Sequence, residues 1–229
     1  MYKRFLNKIK PYESRFRRTS YAQCGEDLII DFFFNCIGVS NPGYIDIGAH
    51  HPHFINNTYL FYKKGCRGIN VEPDPYLYKL FEKYRPEDVN LNIGVAAEEG
   101  IMKYYQLSSS TLNTFSQEDA IKAVDAGYNL LGSIETPVKP VNQLLSVFSS
   151  NNQPYFMSLD VEGMDMIILE AINYDTHPPA LICVETAEFS NKKICDKKND
   201  AIAYLREQDY LLYADTYMNS ILVRNSLVN

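Results

Sequence analysis

Eight side chains able to handle protons, hydroxyls or metal ions fall in four clusters: Asp46 with His50, His51 and His53; Glu72; Asp160 with Glu162; and Glu185. Neutral imidazole titrates near working pH, so His51 or His53 suits a general base. Joined to Asp160 and Glu162, the histidines would make a mixed nitrogen and oxygen site for a transition metal, whereas carboxylates alone favour magnesium or calcium. No helical H-x-x-x-H spacing accompanies them. A third reading has the histidines capping a helix or simply exposed. Asp160 and Glu162 alternate with apolar Leu159 and Val161, which points both carboxylates to one side of a strand end. The competing use of Asp160 is as N-cap of the next helix.

These clusters need a frame, and alternating strands and helices supply one. Gly43–Gly48 reads as a strand, followed by helical apolar spacing over Phe54–Lys64 until Gly65. Gly68–Glu72 is the second strand; Pro73 and Pro75 open a helix to about Tyr84, and Asp88–Ile93 is the third strand. Residues 101–140 are less regular, with a strand over 101–107 and a helix over 118–126; a short helix over 141–148 follows. The alternation resumes with a strand over Tyr155–Asp160, a helix over Met164–Ile172 and a strand over Ala180–Glu185. Ala201–Gln208 is a helix, and Tyr210–Asp215 and Ser220–Arg224 are strands. The connection Thr216–Asn219 is too short for a parallel crossover, so this last pair is antiparallel. The fold class is α/β, a doubly wound and mostly parallel sheet with an antiparallel C-terminal hairpin.

Ligands of such sheets sit beyond the carboxyl ends of the strands, and four successive ends carry acids: Asp46, Glu72, Asp160 and Glu185. A dinucleotide would want G-x-G-x-x-G, but the first loop has only Gly48, which disfavours an NAD-dependent sugar dehydrogenase or epimerase. A ligand with a ribose and no phosphate fits better. Glu72 would accept from the ribose hydroxyls, and Gly48 would let the backbone approach an amino-acid moiety. S-adenosylmethionine is such a ligand, and an acidic rim attracts its sulfonium. The plain alternatives are Asp46 as a helix cap and Glu72 paired with Arg67. The irregular segment 108–115 is a candidate substrate wall, with Asn113 and Thr114 in reach of a hydroxyl; Glu185 is a further substrate candidate. Most of the 18 tyrosines read as packing residues.

Asp46-Ile-Gly-Ala-His, Glu72-Pro-Asp-Pro, Asp160-Val-Glu-Gly and the closing 215–224 segment together resemble the FkbM family of S-adenosylmethionine-dependent methyltransferases. The likeness covers about Ser20 to Arg224. Ser20-Tyr-Ala-Gln-Cys-Gly-Glu-Asp and His50-His-Pro-His-Phe-Ile-Asn-Asn-Thr look like a branch associated with bacterial surface or secreted polysaccharides. The resemblance implies a class I methyltransferase (Rossmann-like) fold with a seven-stranded sheet, and cofactor contacts at Asp46, Gly48, Glu72 and His50. It departs from many members at His50 and Pro52. The implied activity is O-methylation of a sugar hydroxyl, in a nucleotide sugar or a glycan. A non-sugar alcohol is the alternative acceptor, and a non-catalytic binding module in a glycan-assembly complex the alternative function. Removing the hydroxyl proton calls on a base among His51, His53, Asp160 and Glu162, or on a divalent metal held by Asp160 and Glu162.

With 229 residues, 46% of them hydrophobic, the chain can bury one core. Residues 1–18 carry a net +6 and the remainder −12, which argues against nucleic acid as a partner. The division is a basic arm over 1–18 and a methyltransferase domain over 19–229. The arm reads as a peripheral membrane contact or an oligomer contact. No membrane span or signal peptide is evident, and Cys24, Cys36, Cys66, Cys183 and Cys195 form no C-x-x-C pair. The expectation is a protein with reduced thiols in the cytoplasm, at most touching the inner face of the membrane.

Overall fold

Glycines and prolines punctuate the chain where the strands of the computed structural model begin and end; it describes residues 16–149, 154–187 and 196–228. In chain order the elements are α1 (Glu26–Cys36), β1 (Gly43–Ile47), α2 (Tyr59–Lys64), β2 (Gly68–Val71), α3 (Pro75–Tyr84), β3 (Val89–Leu91), β4 (Gly94–Ala96) and β5 (Gly100–Leu107). They continue with α4 (Gln117–Asp125), β6 (Leu130–Pro140), α5 (Val141–Ser149), β7 (Tyr155–Leu159), α6 (Asp165–Ala171), β8 (Leu181–Glu185), α7 (Asp200–Glu207), β9 (Tyr210–Asp215) and β10 (Asn219–Arg224).

Seven strands pair in the order β3-β2-β1-β7-β8-β10-β9, and β4-β6-β5 form a second, three-stranded sheet. From β3 to β8 every pairing in the large sheet is parallel, and β10 reverses against both β8 and β9. The fold is therefore α/β with a mostly parallel sheet, closed by the antiparallel hairpin expected from its short turn. Period-two alternation divides the core between the sheet faces. Ile45, Ile47, Met157 and Leu159 face Leu145, Ile168 and Leu205. Tyr44, Phe156 and Cys183 face Ile30, Phe33, Phe34 and Phe61.

The differences from the sequence expectations have physical causes. Helix α2 is shorter than Phe54–Lys64, because Asn56 turns inward: its Oδ1 accepts from the amides of Thr58 and Tyr59 at 3.1 and 2.7 Å. Strand β6 lies in the centre of its sheet although it contains Gly132, Pro137 and Pro140, residues that normally argue against a central strand. Strand β4 and helix α1 were also not expected. Of the basic arm only Phe16–Arg18 lie among the described residues, and Cys195 lies outside them. Among those described, Cys24, Cys36, Cys66 and Cys183 are free, and no helix is long and apolar enough to cross a membrane.

One buried polar network joins the first two strands to the loop between them. The Arg85 guanidinium is fully buried. Its Nε donates to Asp88 at 2.8 Å, and its Nη1 donates to Thr58 Oγ1 at 2.9 Å and Asn56 Oδ1 at 3.2 Å. The rings of Tyr44, Tyr62 and Phe81 surround it with centroids 5.2–5.5 Å away. Asp88 also accepts from the Tyr44 hydroxyl, the Gly68 amide and Asn70. Asp46 accepts from Asn56 Nδ2 at 2.9 Å and Thr58 Oγ1 at 2.8 Å.

Candidate active site

Strand register builds the site. Ile47 stands opposite both Val71 and Leu159, and Leu159 stands opposite Val184. One residue further along, Glu72, Gly48, Asp160 and Glu185 therefore stand side by side on the ends of β2, β1, β7 and β8. Three inter-strand steps separate the outer two, a span of roughly 14 Å. A cavity of about 430 Å³ runs along this row, within the range of small-molecule sites. All four residues line it, with His50, Asn113 and Glu162 among the others.

Backbone strain concentrates at the same place. His50, Ile55 and Glu162 line the cavity with φ of 52°, 50° and 40°. Such values are uncommon for any residue but glycine, and a β-branched isoleucine is an outlier there. Gly48 has φ 77°, and a Cβ on it would lie 1.8 Å from the Asp160 carbonyl oxygen. Close approach of β7 is thus the first demand on that glycine. Glu162 is followed by Gly163 at φ 86°. This left-handed turn, rather than continued strand alternation, brings Glu162 back to Asp160. Thr114 Oγ1 holds it by donating to the Glu162 carbonyl at 2.7 Å.

At one end of the row, the Glu72 carboxylate accepts from the His50 amide on one oxygen and from the Asp74 amide on the other, both at 2.7 Å. Burial nevertheless pushes it up to about 8, with Asp74 and Asp46 adding repulsion against those two amides. At the other end, carboxylate oxygens of Asp160, Glu162 and Glu185 lie within 4.8 Å of one another, the one such group of potential metal ligands among the described residues. All three are raised, first by desolvation and then by the surrounding acids, with Lys198 opposing. Asp165 behind them is pushed up to about 6 by burial.

The remaining sequence candidates divide. Asn113 lines the cavity, but its Oδ1 already accepts from the Leu107 amide. Thr114 serves the Glu162 turn and is not part of the lining. Asp46 is buried under the loop and is not part of the cavity lining; its carboxylate accepts from Asn56 and Thr58. Neither His51 nor His53, the expected bases, lines the cavity. His51 Nδ1 accepts from the amides of His53 and Phe54, and the His53 ring packs on Tyr59 and Tyr84. Neither joins the carboxylate group, so the mixed nitrogen and oxygen site does not form. His50 alone of the three reaches the cavity, its Nε2 3.0 Å from Ser110 Oγ. Gln23, Ile55 and Met218 line the cavity without having been expected there.

The model of the methyltransferase FkbM domain matches residues 46–212, nearly three quarters of the chain. The chain belongs to the FkbM methyltransferase family. The four strand ends of the site all fall inside the matched FkbM segment, while Gln23 and Met218 fall outside it. Among solved structures, the methyltransferase FkbM from Methylobacillus flagellatus KT aligns at 12% identity with a TM-score of 0.48. The alignment covers 80% of this chain and 44% of that one, so this chain spans less than half the length of that relative. No curated protein matches the chain.

The raised acids fix a sign for the pH dependence of this FkbM domain. Glu72 ionises in the fold only near pH 8 but in the unfolded chain near the ordinary carboxylate value. Between those values the native state holds the extra proton, so its contribution to stability is lost as pH rises through about 8. Glu72 alone should therefore make the fold about 1 kcal/mol less stable in urea denaturation at pH 9 than at pH 7, and Glu162 and Glu185 add to the loss in the same direction. A stability that rises over this window would contradict the burial argument.

Proposed function

We propose that the protein transfers the methyl group of S-adenosylmethionine to a hydroxyl of a sugar, in a nucleotide-linked or glycan acceptor. One observation carries this reading: a buried ribose-type acid, Glu72, and a crowded carboxylate trio occupy opposite ends of one cavity across the single glycine Gly48. The strand order with its reversed edge hairpin supports reading the sheet as the class I methyltransferase arrangement. The cofactor supplies an electrophilic methyl on a sulfonium. Glu72, fixed by two amides, retains lone pairs for two ribose hydroxyls, and the positive ligand relieves the repulsion among the acids around it.

A sugar hydroxyl does not ionise unaided at neutral pH, so its proton needs a destination. In-line attack forms the bond from acceptor oxygen to methyl carbon as the carbon–sulfur bond breaks, and the proton passes to a carboxylate of Asp160, Glu162 or Glu185. Asp160, pushed up to about 7, suits that task near neutrality, whereas Glu162 and Glu185 are raised further and hold their protons there. The three clustered oxygens also favour a second route, in which they hold an oxygen-preferring cation such as Mg²⁺.

Calorimetry with S-adenosylhomocysteine should show binding, and thermal shift should show stabilisation by it and none by NAD. Labelled S-adenosylmethionine with a panel of nucleotide-linked hexoses and deoxyhexoses then tests transfer. A wild-type protein that does not bind S-adenosylhomocysteine would sink the reading. Turnover that survives exhaustive EDTA treatment assigns the proton to a carboxylate alone; loss restored by Mg²⁺ assigns it to the cation route.

A further inference from the structure

One wall of the cavity comes neither from the large sheet nor from the segment 104–115 of the small one. Residues 20–27 form a strap tied down by two adjacent, fully buried carboxylates. Asp27 accepts from Ser20 Oγ at 2.6 Å and from the Tyr21 amide at 2.7 Å. Glu26 accepts from the Cys24 amide at 2.8 Å with one oxygen, and from Thr216 Oγ1 at 2.6 Å and Asn219 Nδ2 at 3.0 Å with the other. At its far end the Tyr21 carbonyl accepts from the Asn56 amide at 2.9 Å. The strap is thus moored to the loop after β1 on one side and to the β9–β10 hairpin on the other. In the sheet order, the strand ends between those moorings are those of β7 and β8, which carry Asp160 and Glu185. Glu72, on β2, lies beyond the strap.

Gln23 sits mid-strap, exposed and lining the cavity, and its carboxamide has no hydrogen-bond partner among the described residues. Its neighbours in the lining from the two moorings, Ile55 and Met218, are apolar. The carboxylate that takes the hydroxyl proton must itself be ionised and has no donor to offer a neighbouring hydroxyl oxygen; the Gln23 amide N–H supplies one. We propose that Gln23 is an acceptor-binding residue, donating from Nε2 to the hydroxyl next to the one methylated, and that it thereby selects a vicinal diol. This rests on the sugar-hydroxyl reading above and adds to it the neighbouring hydroxyl as the group recognised. A site built to bond a hydroxyl discriminates against the analogue that lacks it.

The test uses the full chain and matched pairs of nucleotide-linked hexoses and their deoxy counterparts as acceptors, with labelled S-adenosylmethionine. Q23A should raise KM for the best hydroxylated acceptor about tenfold and erase its preference over the deoxy partner. The Kd of S-adenosylhomocysteine should stay within twofold, and the melting temperature should not move, because the side chain makes no hydrogen bond among the described residues. Q23E keeps the size but loses the N–H and should be as poor as Q23A. Unchanged KM and preference in both variants overturn the proposal alone, and so does rescue by glutamate or a fall in melting temperature. If the wild type binds S-adenosylhomocysteine but methylates no member of the panel, the sugar reading fails and this proposal with it. If it binds none, the cofactor reading itself has failed.

Discussion

Replacing Arg85 with alanine will destabilise the fold by about 3–5 kcal/mol, the range for removing one partner of a buried ion pair. The loss is large because Arg85 serves several groups at once. Its removal leaves Asp88 as an uncompensated buried charge and takes a donor from both Thr58 and Asn56. It also empties the space among Tyr44, Tyr62 and Phe81. Lysine should not rescue the variant, since a compact ammonium cannot reproduce the directed fork of the guanidinium. Typical domains have about 5–15 kcal/mol in total, so the variant should be marginal, and urea titration measures it directly. A cost under about 1 kcal/mol would show that the network is replaceable. Since Asn56 and Thr58 hold the loop over Asp46, the folded fraction should also bind S-adenosylhomocysteine more weakly.

Asp160→Asn should move activity and stability in opposite directions. Removing one charge from three crowded carboxylates relieves repulsion, so the melting temperature should rise. Methyl transfer should nevertheless fall by about 10²–10⁴, the contribution of a positioned general base. Because Asp160 raises both Glu162 and Glu185, their affinities for protons should drop in the variant. The acid limb of its residual rate profile should then shift to lower pH. Activity within tenfold of wild type would remove Asp160 from the proton path. A lower melting temperature would mean that its hydrogen bonds outweigh the repulsion.

Much of this was legible in the sequence because local chemistry and global fold agree. Gly65, Pro73 and Pro75 end and begin elements where the structure does, and α3 matches its expected bounds. Asp160 and Glu185 were both legible as acids at successive strand ends, though the closeness of Glu185 to Asp160 and Glu162 was not. What sequence periodicity could not supply was direction in irregular backbone. His50, His51 and His53 look like one cluster, yet the left-handed turn at His50 sends the next two away from the cavity. Glu162 arrives by the opposite device, a turn that folds back. Pro137 and Pro140 hid β6 by the ordinary rule for strands. Helix α1 did leave a signal in the spacing of Ile30, Phe33, Phe34 and Ile37, although it is preceded by Gly25 instead of a side-chain cap. Gln23 lies in the family-like stretch Ser20–Asp27, but nothing in that stretch placed it at the cavity, because its position depends on contacts made nearly 200 positions away.

That distance bears on biosynthesis. Glu26 reaches partners 190 and 193 positions further along, so the strap's mooring to the β9–β10 hairpin must wait until that hairpin has left the ribosome. At ordinary synthesis speeds the interval is roughly 10–40 s. During it, Glu26 can stay solvated, and the acidic strand ends can fold beneath an open mouth. Closing so long a loop late costs little more entropy than closing a shorter one, since the penalty grows only with the logarithm of its length. The nascent chain therefore completes the hairpin side of this wall after the strands that carry the acids have been made.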